Sequence, residues 1–373
     1  MKPEPIRIGL VGLGDIAGRY ADTLQAVPGV TLVAGASPSP ERALARRSFA
    51  MPILSVDDFL ARSDIDLIVN LTSPTAHADI TRLALHRGKA VYSEKPLATA
   101  LDEARDLIAL AEASGRVLAC APATPLGPAQ QTARRLIDEG ELGTVWGAAT
   151  TLVYPGPDLW HRDADRLFAR GAGVVMDMGV YDVTALVHLL GPVEKVTAGG
   201  GRVRTERTIP AGPRAGERFP VQALTHAVAL LSFVGGATAA VTLGFDAPGA
   251  RRTELEIYGS EATLALPRSG EFAGKMTISR AFGRWEPVSP LFGWSDAAWP
   301  IGVLDAADAL RTGRPPRASA DMALHVLEVL LAIEGSVAEG LTVAIRSRPA
   351  RPEPLSATQF ADLATQSALE LAP

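Results

Sequence analysis

Between residues 6 and 122, apolar runs alternate with helical patterns, and this alternation restricts the fold more than any other feature of the chain. "IRIGLVG" (6–12), "VTLVAGA" (30–36), "IDLIVNLT" (65–72), "KAVYSE" (89–94) and "RVLACAP" (116–122) read as buried strands. Between them lie a helical pattern ending near residue 26, then "PERALARRSF" (40–49), "HADITRLALHRG" (77–88) and "ALDEARDLIALAEASG" (100–115), the last two stopped by glycine. Strands that are apolar throughout suit a parallel sheet covered on both faces, and parallel neighbours need a crossover helix. The expected fold of residues 1–123 is therefore a doubly wound α/β domain of right-handed βαβ units.

The turn after the first strand is "GLGDIAG". Gly12, Gly14 and Ala17, with Asp15 and Ile16 between them, fit the G-x-G-x-x-G/A dinucleotide fingerprint. Gly12 permits the tight turn, Gly14 lets the backbone approach a pyrophosphate, and Ala17 allows close packing of helix on sheet. The helix N-terminus then offers unpaired N–H groups to phosphate. A glycine-rich turn without a ligand is the plain alternative; the position in the first βαβ unit favours the dinucleotide. An acid closing the second strand would accept the ribose 2′-hydroxyl of NAD. Ser37 stands there instead, with Arg42 in the following helix. A hydroxyl near a guanidinium suits a 2′-phosphate, so NADP is expected and NAD is the alternative. Glu41 and a purely surface role for Arg42 speak against that preference.

The fourth strand runs into "SEKPLA" (93–98). Ligands of a doubly wound sheet sit outside the carboxyl ends of the strands, so Glu94 and Lys95 project where a nicotinamide would lie. Pro96 keeps Lys95 out of helical geometry. A lysine so placed can relay the proton of a substrate hydroxyl while hydride leaves the same carbon, given a pKa lowered from about 10.4. A simple ion pair with Glu94 is the structural alternative.

"GLVGLGDIAG", "NLTSPTAH" (70–77) and "EKPLA" (94–98), in this order and spacing, resemble the glucose–fructose oxidoreductase / inositol dehydrogenase / MocA family. "GAGVVMDMGVYDVTALVHLLGPV" (171–193) resembles its second-domain motif, so the likeness covers nearly the whole chain. The resemblance implies a Rossmann domain followed by an α+β domain with a large open sheet. It also implies NAD(P)-dependent oxidation or reduction of hydroxyl carbons in sugars and cyclitols. It gives Lys95 a part in proton transfer, Glu94 a contact with the nicotinamide ribose, and Thr72 and His77 places lining the cofactor cleft. His77, opening a helix, reads equally as a cap or surface residue.

Past residue 123 the pattern becomes β-rich. "LLSFVGGATAAVTLGF" (231–245) and "TELEIYGSEATLAL" (253–266) read as hairpins about Gly235–Gly236 and Gly259–Ser260. Residues 124–373 are thus expected to form one α+β domain for substrate binding and oligomerisation, with a mostly antiparallel sheet. "DMALHVLEVLLAIEGSVAEG" (321–340) reads as a core or interface helix, and "RSRPARPEP" (346–354) as a linker to a final short helix. A helix starting near Gly179 would place Asp177 at its N-cap and Tyr181 on the same side. The family motif runs Asp-x-Gly-x-His-x-x-Asp; Tyr181 and Thr184 replace its last two members, so a Lys95–Tyr181 pair is the expected relay, with Asp177 beside it. In "PGPDLWHRD" (155–163), Trp160 and His161 offer a pyranose an aromatic platform and a hydrogen-bonding imidazole, or else form ordinary packing.

Composition narrows the partners. The net charge of −5, without a block of like charges, argues against nucleic acid or an anionic membrane. One cysteine among 373 residues leaves no intrachain disulfide and no zinc-like spacing. The first residues are too glycine-broken for a signal peptide, and no run approaches the ~20 apolar residues of a membrane span. The expectation is a metal-free cytoplasmic homodimer or homotetramer that transfers hydride between NAD(P) and a secondary alcohol carbon of a sugar, cyclitol or related polyol. Two rivals are a redox-neutral enzyme that uses bound NAD to cleave or eliminate a glycoside, and a non-catalytic nucleotide-binding regulator.

Overall fold

The computed structural model describes residues 4–161, 163–251, 254–280, 283–291, 299–356 and 359. The chain divides into two compact units: Met1–Pro128 with Phe292–Leu324 and Pro352–Pro373, and Ala129–Leu291 with His325–Arg351.

The first unit holds a parallel sheet of β1 (Ile6–Val11), β2 (Val30–Ala36), β3 (Ile53–Leu54), β4 (Leu67–Asn70), β5 (Ala90–Ser93) and β6 (Leu118–Cys120). Its order is β3-β2-β1-β4-β5-β6. The order reverses between β1 and β4, which makes the crevice beyond their carboxyl ends the switch point where such folds bind ligands. Helices α1 (Ala17–Gln25), α2 (Pro40–Arg46), α3 (Val56–Ala61), α4 (His77–His86) and α5 (Leu101–Ser114) connect the strands. β4, β5 and β6 are buried along their whole length, which is why they read as unbroken apolar runs.

The second unit begins with α6 (Pro128–Asp138), β7 (Val145–Val153), α7 (Ala164–Leu167), α8 (Gly173–Asp177) and α9 (Gly179–Leu190). There follow β8 (Val193–Gly201), β9 (Glu206–Thr208), β10 (Arg218–Pro220), β11 (His226–Phe233), β12 (Thr238–Gly244), β13 (Leu255–Gly259), β14 (Thr263–Leu266), β15 (Met276–Ser279) and β16 (Glu286–Val288). The chain ends its described elements with α10 (Ile301–Thr312), α11 (Ala320–Glu339) and β17 (Val343–Ala344). A nine-stranded sheet runs β16-β15-β14-β13-β7-β12-β11-β8-β17 and is antiparallel except between β7 and β12. Both expected hairpins are present, β11–β12 about Gly235–Gly236 and β13–β14 about Gly259–Ser260. β9 and β10 form a separate two-stranded ribbon.

β11 alternates sharply. Ala227, Ala229, Leu231 and Phe233 are buried on the face that carries α8, whereas Val228 and Leu230 are 55% and 49% exposed. Leu230 pairs with Ala240 and Val228 with Thr242, so Val228, Leu230 and Ala240 form an open apolar patch with half-buried Thr242 beside it. Among the described residues no helix is long and apolar enough to cross a membrane.

The segment containing α10 departs from the expected division at residue 123. It packs with the first unit: a Cβ on Gly302 would lie 2.5 Å from the Tyr92 Oη of β5, and Cys120 N–H of β6 donates to Ala318 O at 2.9 Å. The sheet edge at β6 is thereby covered by late sequence. The final short helix expected after residue 354 lies outside the described residues.

Candidate active site

In the first unit, the turn between β1 and α1 has the shape a dinucleotide requires. Gly12 sits at φ +90°, and a Cβ there would lie 2.5 Å from the backbone of Leu71 and Thr72, so no other residue fits. A Cβ on Gly14, by contrast, meets nothing within 4 Å. Ala17 is wholly buried where α1 meets the sheet, and its N–H donates to Gly14 O at 3.2 Å. Asp15 is exposed, Ile16 is half-buried, and no side chain caps the first turn of α1. Space above Gly14 and an uncapped helix start suit a pyrophosphate. Ser37 Oγ accepts the Ser39 N–H at 3.2 Å, and Arg42 lies exposed in the first turn of α2. The residues therefore fit a nicotinamide dinucleotide.

At the carboxyl end of β5, Glu94 is 7% exposed and held by two donors. Tyr20 Oη of α1 donates to its Oε1 at 2.7 Å, and the Lys95 N–H donates to its Oε2 at 3.0 Å. Lys95 is half-buried, and the Lys95–Pro96 peptide is cis. The Pro96 carbonyl lies 2.7 Å from His77 Nδ1, while His77 Nε2 lies 2.9 Å from the Thr72 carbonyl. His77 is only 1% exposed. Sequence reasoning placed it along the cofactor cleft, or else as a cap or surface residue; in the structure it is buried with both ring nitrogens turned to main chain, a strut between the Thr72 loop and the Lys95–Pro96 corner. Burial draws its pKa below the ordinary value against the opposing pull of the two carbonyls and Glu94. Thr72 is fixed in turn by donating its Oγ1–H to Asn70 Oδ1 at 2.6 Å, and Asn70 donates to His77 O and Thr81 Oγ1. Asn70 and Tyr20 were not singled out from the sequence, although Asn70 opens the "NLTSPTAH" segment.

In the second unit a cavity of about 390 Å³ is lined in part by Tyr154, Trp160, His161, Asp177, Met178 and Arg268. Three residues singled out from sequence, Trp160, His161 and Asp177, thus meet in one place. Trp160 is 65% exposed and stacks on Tyr154, with ring centroids 5.3 Å apart. His161 is exposed, and its Nδ1 accepts the Asp163 N–H at 3.1 Å. Arg268 is oriented by Glu271, donating to its Oε1 from Nε at 2.9 Å and Nη2 at 2.6 Å. Asp177 is not the expected N-cap: it closes α8, and the residue before α9 is Met178. The extra helical turn ahead of Gly179 carries the carboxylate to the cavity wall instead. Tyr181, in the first turn of α9, is half-buried beside Gly270 and is not among the residues lining this cavity. Tyr154 and Arg268 escaped sequence reasoning. Tyr154 directly precedes the quoted aromatic loop, while Arg268 lies far along the chain with no local signal. Aromatic surface beside a carboxylate, an imidazole and a guanidinium is a setting for a small polyhydroxylated ligand.

Comparison with known proteins agrees with this layout. The model of the oxidoreductase family with an NAD-binding Rossmann fold matches residues 6–121, and that of the GFO/IDH/MocA C-terminal domain matches residues 130–265. A dTDP-3,4-didehydro-2,6-dideoxy-alpha-D-glucose 3-reductase of Streptomyces antibioticus is 32% identical over 72% of this chain and 77% of its own length. The scyllo-inositol 2-dehydrogenase (NAD(+)) of Bacillus subtilis is 26% identical over 91% of this chain and 96% of its own. Among solved structures, levoglucosan dehydrogenase in complex with NADH superposes with a TM-score of 0.81 at 20% identity, covering 92% of this chain and 100% of that one. Matched in both of its halves and 32% identical over 277 residues to a sugar reductase, the chain belongs to the Gfo/Idh/MocA family of NAD-binding oxidoreductases.

Proposed function

We propose that the protein transfers hydride between a nicotinamide and a secondary hydroxyl or carbonyl carbon of a sugar, cyclitol or related polyol, with Lys95 moving the proton. When bound, the dinucleotide supplies the hydride acceptor or donor. The turn Gly12–Ala17 holds its pyrophosphate, and Thr72 and Glu94 border its nicotinamide half. Lys95 exchanges a proton with the substrate oxygen. Asp177 and His161 hold neighbouring hydroxyls, while Trp160 presents its ring to the C–H face of the substrate.

The observation that carries this reading is the setting of Lys95. It leaves the carboxyl end of a buried strand at the switch-point side of the sheet, between a carboxylate anchored by Tyr20 and a proline carbonyl anchored by His77. The sugar and inositol names of the relatives support the substrate class.

Lys95→Met should keep the fold and cofactor affinity and lower kcat by about 10²–10⁴, the usual contribution of a general acid–base group. Tyr181→Phe, which keeps the ring, tests the phenol as a second proton-transfer group and should lower kcat by tens-fold or more on that same scale. Near-normal turnover in Lys95→Met removes the proposal. Accumulation of reduced nicotinamide on adding polyol separates it from a redox-neutral glycoside-cleaving enzyme. The open patch of Val228, Leu230 and Ala240 supports a homo-oligomer formed through the nine-stranded sheet.

A further inference from the structure

Arg207 is the most heavily engaged buried cation near the cavity of the second unit. It projects from the β9 ribbon with a side chain only 6% exposed, between Asp158 at 8% and Asp246 at 7%. Its Nη1 donates to Asp158 Oδ1, and its Nη2 lies 3.5 Å from Asp246 Oδ1. Nη2 also donates to the carbonyls of Pro155 at 2.6 Å and Phe245 at 3.2 Å. The guanidinium lies over the Phe168 ring, 4.9 Å from its centroid.

These partners are parts of the cavity wall or stand directly behind it. Pro155 lines the cavity, and Asp158 lies two residues before Trp160. Phe245 supports Tyr154 edge-on at 5.1 Å, and Tyr154 stacks on Trp160. Phe168 packs against Phe245 at 5.7 Å. The loop fits this cation closely: Gly156 adopts φ +120°, and a Cβ there would collide with Arg207 Nη1. A planar fork donating to one carboxylate and two carbonyls in fixed directions is something arginine does and lysine does not.

We infer that Arg207 is a positioning residue for substrate recognition: it sets the loop 155–161 so that Trp160 faces the substrate. The inference rests on the cavity being the polyol site. Arg207 touches neither the substrate nor the reacting atoms; it acts through Trp160.

Arg207→Lys tests it, because a buried cation remains between Asp158 and Asp246 while the fork to Pro155 O and Phe245 O is lost. With the polyol that the wild type turns over, KM should rise about ten- to a hundredfold, as small misplacements of substrate-orienting groups do. kcat should stay within about twofold, and the dissociation constant for the dinucleotide should not move. In a Trp160→Ala background the same substitution should change KM by less than about twofold, since the residue it positions is gone. A role confined to stability would lower the folded fraction and leave KM unaltered. If the lysine variant fails to fold, Asp158→Ala, which removes the carboxylate through which Arg207 grips the loop, serves with the same readings. Unchanged KM in these variants while Trp160→Ala raises it overturns the inference alone, as do independent, multiplying effects. Unchanged KM in Trp160→Ala overturns the substrate assignment of the cavity and this inference with it.

Discussion

Asp182 offers the sharpest test of the electrostatics of the second unit. It sits in the first turn of α9 but is 2% exposed, facing the sheet rather than solvent. Its Oδ1 accepts the hydroxyls of Thr150 at 2.6 Å and Ser269 at 2.8 Å, and among the described residues Oδ2 has no partner. Burial raises its pKa from 3.8 to about 6, against the smaller opposing effect of the two hydroxyls. A folded-state value above the unfolded one means that the native protein holds this proton more tightly. Stability therefore falls as pH rises between 3.8 and about 6, and the loss is complete above that window. The gap of about 2.2, at about 1.36 kcal/mol each, amounts to ~3 kcal/mol at pH 8. Integrating the same two values gives about half of that at pH 5. Asp182→Asn reproduces the neutral carboxyl, keeping an oxygen for both hydroxyls and removing the charge. Urea unfolding with unchanged m-value should show the variant gaining ~3 kcal/mol over wild type at pH 8 and about 1.5 at pH 5. The pH dependence of that gain is the decisive quantity, because any constant packing effect of the amide cancels from it. A gain independent of pH, or a variant least stable relative to wild type at pH 8, would refute the reasoning.

Gly14→Val should fold normally, since a Cβ at Gly14 has no neighbour within 4 Å, yet lose dinucleotide affinity in titration calorimetry; retained affinity counts against the turn as the pyrophosphate site. NADP should bind more tightly than NAD, and Arg42→Ala should erase about ten- to a hundredfold of preference, the equivalent of a charge-assisted hydrogen bond of about 1.5–3 kcal/mol; equal affinities in the wild type sink the idea. Leu230→Glu, which charges the centre of the open patch, should lower the mass measured by light scattering to that of a smaller assembly, whereas an unchanged mass removes the sheet face as the interface.

The parts of this fold that were legible in the sequence are those governed by local rules. β2 occupies the run read as residues 30–36, and β7 the run read as 145–153, because a strand inside a sheet needs a continuous or alternating apolar record in its own residues. The glycine turns and the lysine before Pro96 carried their backbone requirements in single letters. The return of α10 to the first unit was not legible, for nothing within "IGVLDAADALRT" states that Gly302 must lie against Tyr92, more than two hundred residues earlier.

The same distinction divides the residues of the candidate site. Trp160 and His161 stood out because aromatic and imidazole side chains in a proline-rich loop need explaining, and the structure brings both to the cavity with Asp177. Arg207 sits in "GGGRVRTERTIPAGPRAGERFP", where one arginine among several reads as a solvated surface. Its burial comes from a carboxylate 49 residues away and from a ribbon that has no apolar signature of its own. Asp182 was hidden likewise: an acid in the first turn of a helix reads as a favourable partner of the helix dipole. Only the register of α9 against β7 turns it inward to Thr150. His77 shows the converse, a residue that the sequence singled out but whose own contacts it did not reveal. A one-dimensional pattern can mark it as opening α4 but cannot say that two backbone carbonyls, those of Thr72 and Pro96, converge on its ring. Buried polar residues are specified by their partners, and the partners of this site come from distant segments. What sequence pattern misses here is therefore concentrated in supports such as Asn70, Asp182 and Arg207, whereas the place of Lys95 at a strand exit is written in its own six residues.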